Sequence, residues 1–106
     1  MANLKVRVPP NAKRGQVLEV FALALHPMES GFRLDNVGKT IPRHIIETFT
    51  CIYGGKEVFR AKLHPAITAN PYFAFHIVAT ESGELVFAWR DDKGNVGEER
   101  ASLTVT

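Results

Sequence analysis

Two adjacent glycines, Gly54 and Gly55, sit between two runs rich in β-branched and aromatic residues, and no other feature constrains the fold as tightly. A two-residue hairpin turn needs positive φ at both central positions, which glycine adopts without steric cost. The stretch 45–63, IIETFTCIYGGKEVFRAKL, therefore predicts a β-hairpin. A chain committed to one hairpin must find further strands to cover its apolar face, because an isolated two-stranded ribbon is marginal in water.

Those further strands are legible on both sides of the hairpin. Leu4 to Val8 alternates weakly and stops at Pro9-Pro10, where two missing amide donors end any ladder, so it predicts an edge strand. Gln16 to Leu25 places Val17, Phe21, Leu23 and Leu25 on one side and Leu18, Val20, Ala22 and Ala24 on the other. Leu and Ala favour helix, but the run is short and lies between Gly15 and Pro27, which favours strand. Tyr72 to Thr80 is again apolar on both sides, Phe73, Phe75 and Ile77 against Tyr72, Ala74, His76 and Val78. Glu84 to Arg90 directs Leu85, Phe87 and Trp89 to one face. The last strand points Ala101, Leu103 and Val105 one way and Ser102 and Thr104 the other. The bridge at residues 64–71, HPAITANP, is turn-rich. The pattern predicts one all-β domain over residues 1–106, an immunoglobulin-like antiparallel β-sandwich of about seven strands.

At 106 residues the chain is long enough to bury about two-thirds of its unfolded surface, so its core holds it without metal or crosslink. Each large apolar side chain buried between the sheets contributes ~1.5 to 3 kcal/mol, set against the entropy of ordering the chain. A net charge of +2 from scattered basic residues is too mild for a nucleic-acid surface. No stretch is long enough to span a bilayer, and MANLKVRVPP has no apolar export core. The expectations are no nucleic-acid partner and no membrane.

Chemistry-bearing residues are few. His26, His44, His64 and His76 lack the i, i+4 spacing that aims two imidazoles at one metal, so they read as ordinary histidines. His26 and His64 each precede a proline at an expected strand end, which leaves convergence of the two open, but the favoured reading is ordinary loop histidines. His76, on an apolar strand, reads as a hydrogen-bonded core or interface residue. Cys51 sits mid-strand with Phe49 and Tyr53 on its face and reads as a buried structural thiol, with an intermolecular disulfide as the alternative. Glu47, Glu57, Glu81 and Glu84 read as solvated, and no nucleophile–base order or phosphate loop is present. The expectation is no catalytic residue, no cofactor and no metal site.

Residues 26–41, HPMESGFRLDNVGKTI, form a connection long enough for a binding loop. A lone sandwich has one interior, so strands apolar on both sides imply a cover for the outer face. Either this loop folds back to provide it or a partner does.

The segment FTCIYGGKEVFRAKLHPAITANPY, with LHPMESGFR before it and TESGELVFAWRDDKG after it, closely resembles the SoxZ family, the Z subunits of the SoxYZ sulfur carrier of bacterial thiosulfate oxidation. The resemblance runs nearly end to end. It implies a non-catalytic subunit of a periplasmic heterodimer. The SoxY-type companion carries the sulfur intermediates on a glycine-flanked C-terminal cysteine arm and presents them in transient contact to the other Sox pathway enzymes. Cys51 matches the family's strand cysteine and not the carrier thiol. The companion's twin-arginine signal would export this chain as a passenger. Candidate partner contacts are His26, Pro27 and Met28 in the long loop and Asn70, Pro71 and Tyr72 before the next strand; a homo-oligomer is possible for the isolated chain. Two other classes stay open: an immunoglobulin-like protein- or glycan-binding module outside sulfur metabolism, and a small metal-redox domain, since related sandwich folds bind iron through histidine and cysteine.

Overall fold

The computed structural model describes residues 3–65, 67 and 69–106, and eight strands account for most of them. They are β1 (Leu4–Arg7), β2 (Asn11–Ala12), β3 (Val17–Ala24), β4 (Ile46–Tyr53), β5 (Lys56–Lys62), β6 (Tyr72–Val78), β7 (Gly83–Asp91) and β8 (Val96–Val105). No helix occurs among the described residues. The seven expected strands are all present, and the addition is β2, a two-residue strand that runs parallel to the end of β8. Ala66 and Thr68 of the expected turn-rich bridge lie outside the described residues.

Two sheets face each other, a three-stranded one in the order β1-β3-β6 and a five-stranded one in the order β2-β8-β7-β4-β5. The β4–β5 hairpin closes as its glycines require, with Tyr53 opposite Lys56 and φ of 59° at Gly54 and 81° at Gly55. β1 lies at a sheet edge, as Pro9-Pro10 dictate.

The core lies between the sheets and is built from alternate residues. Leu18, Val20, Ala22 and Ala24 of β3 and Phe75 and Ile77 of β6 meet Phe49, Cys51 and Tyr53 of β4 and Leu85, Phe87 and Trp89 of β7. Phe49 sits at its centre, stacked on Phe73 with ring centroids 4.1 Å apart, while Phe59 stacks on Phe75 at 4.2 Å. These four rings join the β4–β5 hairpin to β6 across the gap between the sheets. At one end of the sandwich, the Tyr53 hydroxyl accepts the amides of Thr80 (3.2 Å) and Glu81 (3.1 Å) and pins the β6–β7 turn.

The Cα extents, 58 × 20 × 20 Å, are long for 106 residues, and the radius of gyration, 16.1 Å, exceeds the ~13 Å of a compact domain this size. Part of the extra length is the loop after β3. It does not fold back over a sheet: residues 32–40 are all exposed, and the segment pairs with itself as an irregular hairpin, Glu29 bridged to His44 and Leu34 to Thr40. Of the two covers the sequence allows for the doubly apolar strands, the loop is therefore not the one.

Candidate functional site

The base of this arm is held by a dense set of hydrogen bonds. Glu29 and His44 exchange both backbone hydrogen bonds, at 2.7 and 2.8 Å, so the two ends of the arm leave the sandwich side by side. On the other side of His44, the β7–β8 turn grips the chain. The Asp92 amide donates to the Ile45 carbonyl at 3.0 Å, the Ile45 amide donates to Asp92 Oδ1 at 3.1 Å, and Arg43 pairs with Asp92 Oδ2 at 3.1 Å.

Beneath this grip, buried His26 and Asp91 cluster with half-buried His44. His44 Nε2 is 2.6 Å and His26 Nε2 3.1 Å from Asp91 Oδ2. The same carboxylate takes the side-chain amide of Asn95 on Oδ2 and the backbone amides of Lys93 and Asn95 on Oδ1. Burial alone would push this carboxyl up, but the hydrogen bonds from Asn95, His44 and His26 outweigh it and hold Asp91 far below the usual carboxylate range. The His26 ring is enclosed by two others, edge to face with His44 at 4.4 Å and with Trp89 at 5.3 Å.

His26, His44 and Asp91 each offer a ligand atom, and these atoms lie within 4.8 Å of one another, the spacing of a metal site. The hydrogen bonding does not fit one. The Met28 amide donates to His26 Nδ1 at 3.0 Å, so Nδ1 holds a lone pair and neutral His26 carries its proton on Nε2, the atom aimed at the cluster. A metal on Nε2 requires that proton to move to Nδ1, where it meets another N–H. Asp91 is already taken up by five donors. Cys51 is seven residues beyond His44 along an extended strand, roughly 23 Å away at the usual rise per residue, and buried in the core. The cluster is a latch. It ties the arm, the end of β3 and the β7–β8 turn into one rigid corner.

Neither Asp91 nor the His26–His44 pairing is legible in the sequence. Asp91 reads as one more polar residue in an Asp-Asp-Lys-Gly-Asn turn, and the pairing spans 18 residues of chain. His26 meets His44, and His64 is exposed in a turn with the Ile67 amide on its carbonyl. His76 is not a core residue. It faces outward across from Glu19, with Nε2 3.7 Å from the carboxylate.

Cys51 is fully buried, and burial pushes its thiol up to about 12. Such a thiol is neither a nucleophile nor reachable by a second chain, so the structure selects the buried structural cysteine over the intermolecular disulfide. Glu47, Glu57, Glu81 and Glu84 are all exposed.

The six candidate contact residues come together at this same end of the molecule. The His26 amide donates to Asn70 Oδ1 at 3.0 Å, and the Asn70 amide returns to the His26 carbonyl at 2.8 Å, with Met28 and Asn70 both in the left-handed region. His26, Met28 and Pro71 are buried, which leaves Pro27, Asn70 and Tyr72 at the surface. Tyr72 is 62% exposed.

The two outer faces of the sandwich differ. The five-stranded sheet turns a charged surface to water, on which Arg100 joins Glu84 and Glu98 and Arg60 joins Glu57. On the three-stranded sheet the outward residues of β3 and β6 are Val17, Glu19, Phe21 and Leu23 against Val78, His76, Ala74 and Tyr72, directly paired across the strands. All but one pair are apolar. Phe21 and Tyr72 stack diagonally with centroids 5.9 Å apart.

Comparison with known proteins agrees with this architecture. A family model described as sulphur oxidation protein SoxZ matches residues 6–102. No curated protein matches the chain. Among solved structures, superoxide reductase (neelaredoxin) from Ignicoccus hospitalis is similar with a TM-score of 0.75 at 20% identity, over 98% of this chain and 80% of that one. The sulfur carrier protein SoxY from Chlorobium limicola f thiosulfatophilum is similar with a TM-score of 0.71 at 13% identity, over 100% of this chain and 81% of that one. A putative superoxide reductase from Thermotoga maritima gives a TM-score of 0.74 at 14% identity, over 97% and 85%. At these identities the likeness is one of fold.

Proposed function

This chain belongs to the SoxZ family of sulphur oxidation proteins, and from that premise we propose that it is the non-catalytic half of a heterodimeric sulfur carrier. The SoxY-type companion bears the sulfur intermediates on its cysteine arm, and this chain supplies the rigid body on which the companion is held. Its place of work is the periplasm, reached as the companion's passenger.

The observation that carries this role is Cys51. A carrier of covalent sulfur needs an accessible thiolate, and the one cysteine of this chain is enclosed between the sheets with its thiol raised to about 12. The reactive sulfur must then sit on another polypeptide. The His26–His44–Asp91 latch supports the same role, because both His26 nitrogens and the Asp91 carboxylate are spent on holding the corner together. The arm projecting from that corner, with Phe32 83% exposed and Leu34 and Val37 beside it, suits the transient contacts with the pathway's enzymes.

Co-expression with the SoxY-type subunit of the same organism, followed by intact-mass analysis after exposure to thiosulfate and the oxidising enzymes, tests the proposal. The expected result is a one-to-one complex with added mass on the companion only. Added sulfur on this chain would overturn it.

A further inference from the structure

We propose, resting on the heterodimer described above, that the companion subunit docks on the outer face of the three-stranded sheet and presents there a carboxylate flanked by apolar side chains. The face is apolar along β3 and β6 except for the Glu19–His76 pair, and the arm, one of the two covers the sequence allows, projects away from it. Along one flank, β1 sets Lys5 directly opposite Leu23 and Arg7 directly opposite Phe21, so both cations stand on the same side of the sheet as the aromatic pair. Neither Lys5 nor Arg7 has a carboxylate within ion-pair distance among the described residues, whereas Arg60 and Arg100 of the five-stranded sheet do. Between these cations and the Phe21–Tyr72 stack runs an open groove of about 290 Å³, lined by Lys5, Arg7, Phe21, Leu23 and Tyr72.

The chemistry of that groove selects its occupant. One wall is two unpaired positive charges and the other is two stacked rings, which together fit an acidic side chain with an apolar neighbour. A second copy of this chain offers at this face only Glu19, which already stands beside its own His76, so an isologous homodimer there would leave the two cations without a free carboxylate. A companion sandwich whose facing sheet is apolar with an acidic rim meets no such penalty. Burying two cations also requires that they be paired, which makes the complementary carboxylate a condition of docking rather than an ornament.

The test is co-purification of this chain with the SoxY-type subunit, using Phe21→Asp with Ala74→Asp on the proposed face, Lys5→Glu with Arg7→Glu on its flank, and Ser102→Asp on the five-stranded sheet as the control. Circular dichroism and Trp89 fluorescence establish folding. The expected result is that wild type and S102D bind alike, F21D/A74D binds at least tenfold more weakly, and K5E/R7E loses affinity by an amount that shrinks as salt is raised. Should F21D/A74D fold poorly, K5E/R7E alters only exposed side chains and carries the same comparison. Wild-type binding by both double variants would overturn the docking face while leaving the heterodimer intact. Failure of the wild-type chain to bind, or its self-association through this face in place of the companion, would overturn both.

Discussion

The Met28 backbone amide lies 3.0 Å from His26 Nδ1, and this single hydrogen bond decides which way the histidine proton points. With Nδ1 an acceptor, Nε2–H is directed at Asp91, and three residues at metal-site spacing become a closed hydrogen-bonded corner. Met28 can donate in this way because it is in the left-handed region, φ 50°, so that the chain doubles back on His26 just after Pro27.

The first expectation concerns metal. Addition of equimolar zinc or ferrous iron, or removal of metal with EDTA, leaves the thermal midpoint unchanged, because the Nε2 proton of His26 blocks the ligand atom. A rise in midpoint with metal that is lost in Asp91→Asn would contradict the hydrogen-bond assignment.

Asp91 ties stability to acid. Its carboxyl is held far down in the folded chain by its donors and returns to about 3.9 on unfolding. A depressed folded value gives stability that is complete above the unfolded value and is lost as pH falls through it toward the folded one. Unfolding free energy measured by denaturant titration should therefore decline below about pH 4. In Asp91→Ala that acid limb flattens, and stability at pH 7 drops by about 3 kcal/mol, since buried donors lose their acceptor.

Thiol reagents give a direct readout of Cys51. At pH 8 the native protein should resist a disulfide-exchange reagent over hours and react within seconds in guanidinium, as expected of a thiol buried in the core. Cys51→Ser should cost about 1 to 3 kcal/mol by placing a hydroxyl there, and a full reaction rate in native buffer would refute the burial.

Gly97 is a packing requirement. A Cβ built there would meet Trp89 Nε1 at 2.1 Å and Cε2 at 2.3 Å. The indole itself is anchored through Nε1, which donates to the Asn3 carbonyl at 3.1 Å. Gly97→Ala must displace the ring, at a cost of roughly 1 to 3 kcal/mol. Trp89 is the sole tryptophan, so its emission should shift to longer wavelength in the variant, and unchanged emission would show that the ring is not held against this glycine.

Alternation alone was enough to assign most of the fold. The side-chain period of two that separates Leu85, Phe87 and Trp89 from their neighbours is a local property of the strand, and so is the positive φ that Gly54 and Gly55 supply. The apolar excess on both sides of β3 and β6 was likewise legible, because it is written residue by residue in each strand. What covers each face depends on where a distant loop travels. The direction of the arm, and hence the open face beside Lys5 and Arg7, could be settled only in three dimensions. The same holds for the corner built by His26, His44 and Asp91. Its members are 18 and 47 residues apart in the chain, and nothing in their local sequence records that β3, the arm and the β7–β8 turn end at one point. Backbone pattern is a short-range consequence of side-chain chemistry. The meeting of polar groups across the chain follows from how the two sheets pack, and only the assembled sandwich decides it.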